Sequence, residues 1–209
     1  MKVNKINEFG RSMIEMLGVL AIIGVLSVGA IAGYQKAMFK YKSNGFINAY
    51  SQLIGNLSLY AEQFAKMNAG AAYNINSMIN KLNFIPDGMY YKNSYIYDKY
   101  FNNRFNVIIG NSGIGIDTYI SDSSNTSYRT EICKILFSNL IIPLHDSVVI
   151  AWIYKGNGNP EGTKWWGDKN CTSSNKCIKD MTISDVEQLC NECIKDSVCI
   201  ANIGLYQSF

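Results

Sequence analysis

The run from Met16 to Gln35 carries no charged residue and lies close to the start of a 209-residue chain. Its twenty positions would make a helix of roughly 30 Å, about the hydrocarbon thickness of a bilayer. A carboxylate, Glu15, stands directly at the N-terminal edge of the run, and Lys2 and Lys5 give the preceding stretch a short positive start. Three arrangements fit such a segment. It can be a cleavable signal, a plain membrane anchor, or a helix processed at its front edge and kept. A cleavable signal has an apolar core of about 7–15 residues followed by a small-residue cut site. Here the core is longer, and the helical pattern continues past it without a turn or polar break. A plain anchor explains length and apolarity but gives no role to Gly10 or Glu15. Processing before the apolar run uses both.

At Gly10-Arg11-Ser12-Met13-Ile14-Glu15 and the run that follows, the chain resembles the type IV pilin and pseudopilin family. Gly10 matches the residue before the family's cut, and Glu15 matches the glutamate five residues after it. The resemblance implies cleavage of Gly10–Arg11 by a prepilin peptidase and N-methylation of the new amine. The residue after the cut is usually apolar in the family, and here it is Arg11. The resemblance also gives Glu15 a role in assembly, paired with the Arg11 amine of a neighbouring subunit. No proline interrupts the apolar half, and Gly24-Val25-Leu26-Ser27-Val28-Gly29 is similar to the type IVb branch. The implied partners are other pilin subunits, the peptidase, an inner-membrane assembly platform and membrane lipid. The implied location is a bacterial inner membrane with the head in the periplasm, then a filament in the periplasm or at the cell surface.

Helical periodicity continues beyond the apolar run. Phe46, Tyr50, Leu53, Leu57, Tyr60, Phe64 and Met67 recur in alternating steps of four and three, and Ile47, Ile54 and Ala61 widen the stripe. That spacing predicts one apolar face on a helix packed against its own domain. With no proline before Pro86, a single helix is expected from about Ser12 to Met67, stopped by Asn68-Ala69-Gly70. Gly29 and Gly33 bracket a small-xxx-small pattern that lets helices approach closely, although glycine is frequent in membrane helices anyway.

The expected organisation is a leader over 1–10, a transmembrane and assembly helix over 11–35, an amphipathic half over 36–69 and a globular head over 70–209. The fold class is α+β, with the long N-terminal helix packed against an antiparallel-sheet head. Asn76 to Phe84 reads as a short helix and Tyr95-Ile96-Tyr97 as a strand. Arg104 to Ile109 and Ile114 to Ser121 form a hairpin signal around Asn111-Ser112-Gly113. Tyr128 to Ile141 has helical spacing, and Ser147 to Tyr154 reads as a buried central strand. Gly156 to Pro160 opens a loop. Ser184-x-x-Glu187 is a capping box for a helix bearing Cys190 and Cys193, and Ile200 to Tyr206 closes the sheet.

The cysteines bear on the compartment. Cys133, Cys171, Cys177, Cys190, Cys193 and Cys199 all lie beyond the apolar run, and an even number in an exported head reads as disulfides. Cys171 and Cys177 close a small loop; the other four can pair as Cys133 with Cys190 and Cys193 with Cys199. Zinc is the rival, because Cys190-x-x-Cys193 has ligand spacing and Cys171 or Cys177 could complete a site. Uneven spacing and placement within a helix favour disulfides. A redox role for Cys190-x-x-Cys193 is weaker, since the pair does not open a helix after a strand.

Net charge is +3, falling to +2 once Lys2, Lys5 and Glu8 leave with the leader. Basic and acidic residues are interspersed, so nothing indicates nucleic-acid binding. No cofactor signature is present. His145 is the sole histidine and reads as a turn residue, with no nucleophile motif around any serine or cysteine. Gly110 to Gly115 joins two strands and is a hairpin turn rather than a phosphate loop. Trp165-Trp166 either binds sugar or a partner subunit, or folds back on the head. The reading is a structural, non-enzymatic subunit of a type IV pilus or type II secretion-like filament. The alternative is a membrane-anchored, disulfide-bonded binding protein that never polymerises.

Overall fold

A computed structural model describes residues 8–67, 71–110, 113–120, 126–154, 163–195 and 199–207. The chain divides into two compact units, 1–41 and 42–209. Helix α1 (Glu8–Ser58) supplies the described part of the first unit and enters the second. In the first unit residues 13–37 are all exposed, including every large apolar side chain from Met13 to Tyr34.

In the second unit the amphipathic face of α1 is buried as its spacing predicts. Phe46, Tyr50, Leu53 and Leu57 have no exposed surface. Phe46 and Tyr50 pack on Phe105, with ring centroids 6.3 and 5.0 Å apart. The helix does not run unbroken to Met67, however. The Leu59 amide still reaches back to the Gly55 carbonyl at 3.4 Å, but the Tyr60 amide bonds Leu57, three residues back. A separate short helix α2 (Ala61–Lys66) follows. The tightened turn comes after Gly55-Asn56, two weak helix formers, with the Asn56 amide donating to the Phe84 carbonyl at 3.0 Å. The break shifts the stripe, so Ala61 and Phe64 are buried while Tyr60 and Met67 are exposed. Tyr60 stacks on Phe84 instead, at 5.1 Å. The expected stop at Asn68-Ala69-Gly70 lies outside the described residues.

The remaining elements are β1 (Tyr73–Asn74), α3 (Asn76–Lys81), β2 (Met89–Lys92), β3 (Tyr95–Asp98), β4 (Arg104–Gly110) and β5 (Gly113–Ile120). Then come α4 (Thr126–Leu136, continued by a π turn over Phe137–Ile141), β6 (Ile150–Tyr154), β7 (Trp165–Trp166), α5 (Ile183–Lys195) and β8 (Cys199–Gln207). The sheet order is β2-β3-β4-β5-β8-β6-β7, with β1 also on β4, and every named strand pair is antiparallel. The β4–β5 hairpin closes at Gly110↔Gly113; Asn111 and Ser112 lie outside the described residues.

Three expectations need correction. Strand β6 begins at Ile150 rather than Ser147, because the Ser147 and Val148 amides both bond the Leu144 carbonyl in the turn after α4. Its burial also alternates, so it has one buried face rather than two. The closing strand β8 lies deeper in the sheet, between β5 and β6. The cap of α5 is Thr182 rather than Ser184. Thr182 Oγ1 accepts the Asp185 amide at 3.2 Å, and Asp185 Oδ2 accepts the Thr182 amide at 2.9 Å. This reciprocal pair is a capping box two residues earlier. Its bonds hold the Asp185 carboxyl below the usual carboxylate range. Glu187 instead reaches Lys134, 3.4 Å away. The expected loop at Gly156 to Pro160 lies outside the described residues.

The six cysteines form three disulfides, Cys133–Cys190, Cys171–Cys177 and Cys193–Cys199. The first joins α4 to α5, the third joins α5 to β8, and the second closes the loop beside β7. The fold is therefore α+β, with disulfides joining its helices and sheet.

Candidate functional site

Two surfaces stand out among the described residues. The first is in the N-terminal unit. Met13–Ser58 includes a stretch long and apolar enough to cross a membrane, and none of that stretch is buried within the chain. The core helix of a soluble protein would bury such a stretch. An uncovered apolar surface of this extent calls for lipid or other helices around it. A Cβ added at Gly18, Gly24, Gly29 or Gly33 would meet nothing within 4 Å. Each glycine weakens a helix by about 1 kcal/mol relative to alanine, and nothing among the described residues occupies the space gained. At about 100° per residue, Glu15, Gly18, Gly29 and Gly33 fall within about 60° of one helix face. Glu15 is exposed. Gly10 and Arg11 lie in the first turns of α1. The Ser27 hydroxyl donates to the Ile23 carbonyl at 2.7 Å, so that polar group is satisfied inside the helix.

The second surface is the outer face of the sheet. Burial alternates along β4 and β6, with Phe105, Val107, Ile109, Ala151 and Ile153 inward. The outward residues form cross-strand rows. One runs Tyr90, Tyr97, Arg104, Tyr119, Ile200, Tyr154 across six strands. In it the Arg104 guanidinium lies 3.8 Å from the Tyr119 ring centroid and 4.6 Å from that of Tyr95, a cation–π arrangement. The next row is Asn106, Asp117, Asn202, Trp152. A third is Ile108, Gly115, Gly204, Ile150, Trp166.

Asp117 and Asn202 are each only 8% exposed, and the Asn202 amide donates to Asp117 Oδ1. Burial pushes the Asp117 carboxyl above its ordinary value, the Asn202 bond offsetting part of this. Beside the pair is a hollow of about 400 Å³, lined by Asn202, Gly204, Trp152, Tyr154, Lys164 and Trp166 among others. The tandem tryptophans divide between two environments. Trp165 turns into the core, 5% exposed, opposite Ala151, with Lys176 Nζ 5.0 Å from its ring. Trp166, opposite Ile150, stays on the outer face. Gly167 holds this edge strand close to the preceding turn, since a Cβ there would come within 1.6 Å of the Val148 carbonyl oxygen.

Sequence reading missed Asp117, Asn202 and Trp152. Asp117 and Asn202 are 85 residues apart, and only strand register joins them. His145 does lie in a turn, its Nδ1 2.9 Å from Asp168 Oδ2. The Ser147 hydroxyl beside it donates to Asp146 rather than to the imidazole. Sulfur atoms of Cys171 and Cys177 cluster with Asp180 within 4.8 Å, but those sulfurs are bonded to each other and are not thiolates. No family model matches the chain, and neither a curated protein nor a solved structure shows significant similarity to it.

Proposed function

We propose that the chain is a filament subunit of the type IV pilin and pseudopilin kind. It is held in a bacterial inner membrane by the N-terminal part of α1, cut between Gly10 and Arg11, and polymerised through that helix. The observation that carries this reading is the wholly exposed apolar stretch of α1, with Glu15 and three glycines on one face. A lipid anchor alone needs neither the glycines nor the carboxylate. Packing against like helices uses both: glycines let backbones approach, and a carboxylate entering an apolar bundle requires a charge partner. The Arg11 amine of a neighbouring subunit supplies that partner and sets the stagger between subunits. The disulfide-joined head suits a subunit exposed to an oxidising exterior.

Mass spectrometry of the mature protein and a Glu15→Val variant together test the reading. The expected N-terminus is Arg11. Glu15→Val is expected to leave cleavage and head folding intact while abolishing sheared filaments or sharply reducing them. An intact Met1 terminus without filaments would favour the non-polymerising anchored binding protein instead, and filaments at wild-type yield from the variant would show that Glu15 has no part in assembly.

A further inference from the structure

We infer that the hollow on the outer sheet face is a binding site for a hexose unit of an uncharged oligosaccharide. The inference concerns only the second unit and stands whether or not the chain assembles.

Three features define the ligand class. Trp152, Tyr154 and Trp166, each half-buried, line one side, with the rings of Trp152 and Tyr154 5.5 Å apart and inclined at 56°. Ring faces of this kind receive the apolar C–H surface of a sugar while its hydroxyls point sideways. The floor crosses β5 and β8 at Gly115↔Gly204, with the Ile150 side chain packed against Gly204. At the end of the floor sits a polar pair that the fold leaves half used. Asn202 donates to Asp117, while Asn202 Oδ1 and Asp117 Oδ2 make no hydrogen bond among the described residues. Asn202 lines the hollow, and its carbonyl oxygen is an acceptor that matches a hydroxyl donor of a polyol.

Charge separates this ligand from a nucleic acid. An aromatic platform also stacks bases, but it then needs a basic track for the phosphates. Here Lys164, 6.0 Å from the Trp152 ring, is the one cationic side chain among the described residues lining the hollow, and Asp117 adjoins its floor. The volume of about 400 Å³ falls in the range of small-ligand sites, about 300–1,000 Å³.

The test uses the full chain in lipid nanodiscs, because sugar-headed detergents would compete. The protein is applied to an array of defined neutral and sialylated oligosaccharides carrying a single-stranded oligodeoxynucleotide spot. The best-retained neutral oligosaccharide is then titrated against tryptophan fluorescence. Saturable binding of a neutral oligosaccharide is expected, weakened about tenfold or more by Trp166→Ala and by Tyr154→Ala. Tyr97→Ala, far along the same face, is expected to bind as wild type, and melting curves report whether each variant folds. Retention of no neutral oligosaccharide, retention of the oligonucleotide alone, or wild-type affinity in a folded Trp166→Ala or Tyr154→Ala variant would overturn the inference.

Discussion

The Tyr50 hydroxyl lies 2.6 Å from Thr118 Oγ1, and both side chains are wholly buried. This bond ties the amphipathic part of α1 to β5, across the interface that defines the head. Tyr50→Phe keeps the ring among Phe46 and Phe105, at 6.0 and 5.0 Å, and removes only the hydroxyl. The Thr118 hydroxyl is then buried without its partner, at a cost of about 1–3 kcal/mol. Thr118→Val reverses the roles and strands the phenol, for a similar loss. The double variant strands neither group, so it should be no less stable than either single variant. The coupling energy is then at least as large as one single loss, about 1–3 kcal/mol. Burial already holds the Tyr50 hydroxyl far above its ordinary pKa, so it remains protonated throughout a neutral-pH measurement. The assay is thermal unfolding of the 42–209 fragment, disulfides intact, followed by near-UV circular dichroism. For a domain of this size each kcal/mol is worth about 2–4 °C in Tm. If the two single losses simply add in the double variant, the hydroxyls do not act as a pair and the proposed link between α1 and β5 is wrong.

Other outcomes follow from the same structure. Thr182→Ala should cost about 1 kcal/mol through loss of the α5 cap while Ser184→Ala is near neutral; equal effects in thermal melts would return the cap to Ser184. Removing Cys133–Cys190, with a sequence separation of 57, should cost about 4 kcal/mol in denaturant titrations. Removing Cys171–Cys177, with a separation of 6, should cost about 2 kcal/mol on chain-entropy grounds, and a reversed order would show that strain or packing dominates. For Asp117 the folded-state pKa is raised by burial, so the folded state binds the proton more tightly and stability falls as pH rises through that raised value. Asp117→Asn should therefore stabilise the 42–209 fragment at pH 7, and the gain should shrink toward pH 3. A gain independent of pH would remove the buried charge as its cause.

Much of this protein is legible in short-range pattern. Absence of charge over Met16–Gln35 determines an apolar helix because each of its side chains suits lipid or like helices, whatever the rest of the chain does. The steps of three and four through Phe46, Tyr50, Leu53 and Leu57 determine which side of α1 is buried, since helix geometry alone puts them on one face. The β4–β5 hairpin is similarly local, and the even cysteine count pointed to the disulfides. Only the tertiary structure decided where α1 breaks, because Asn56 meets a carbonyl supplied by Phe84. It placed β8 between β5 and β6, split Trp165 from Trp166 across two faces, and set Asp117 against Asn202. These features depend on pairing between segments far apart in the chain. Such pairing is selected by the joint burial of one sheet face, an energy that no single segment carries.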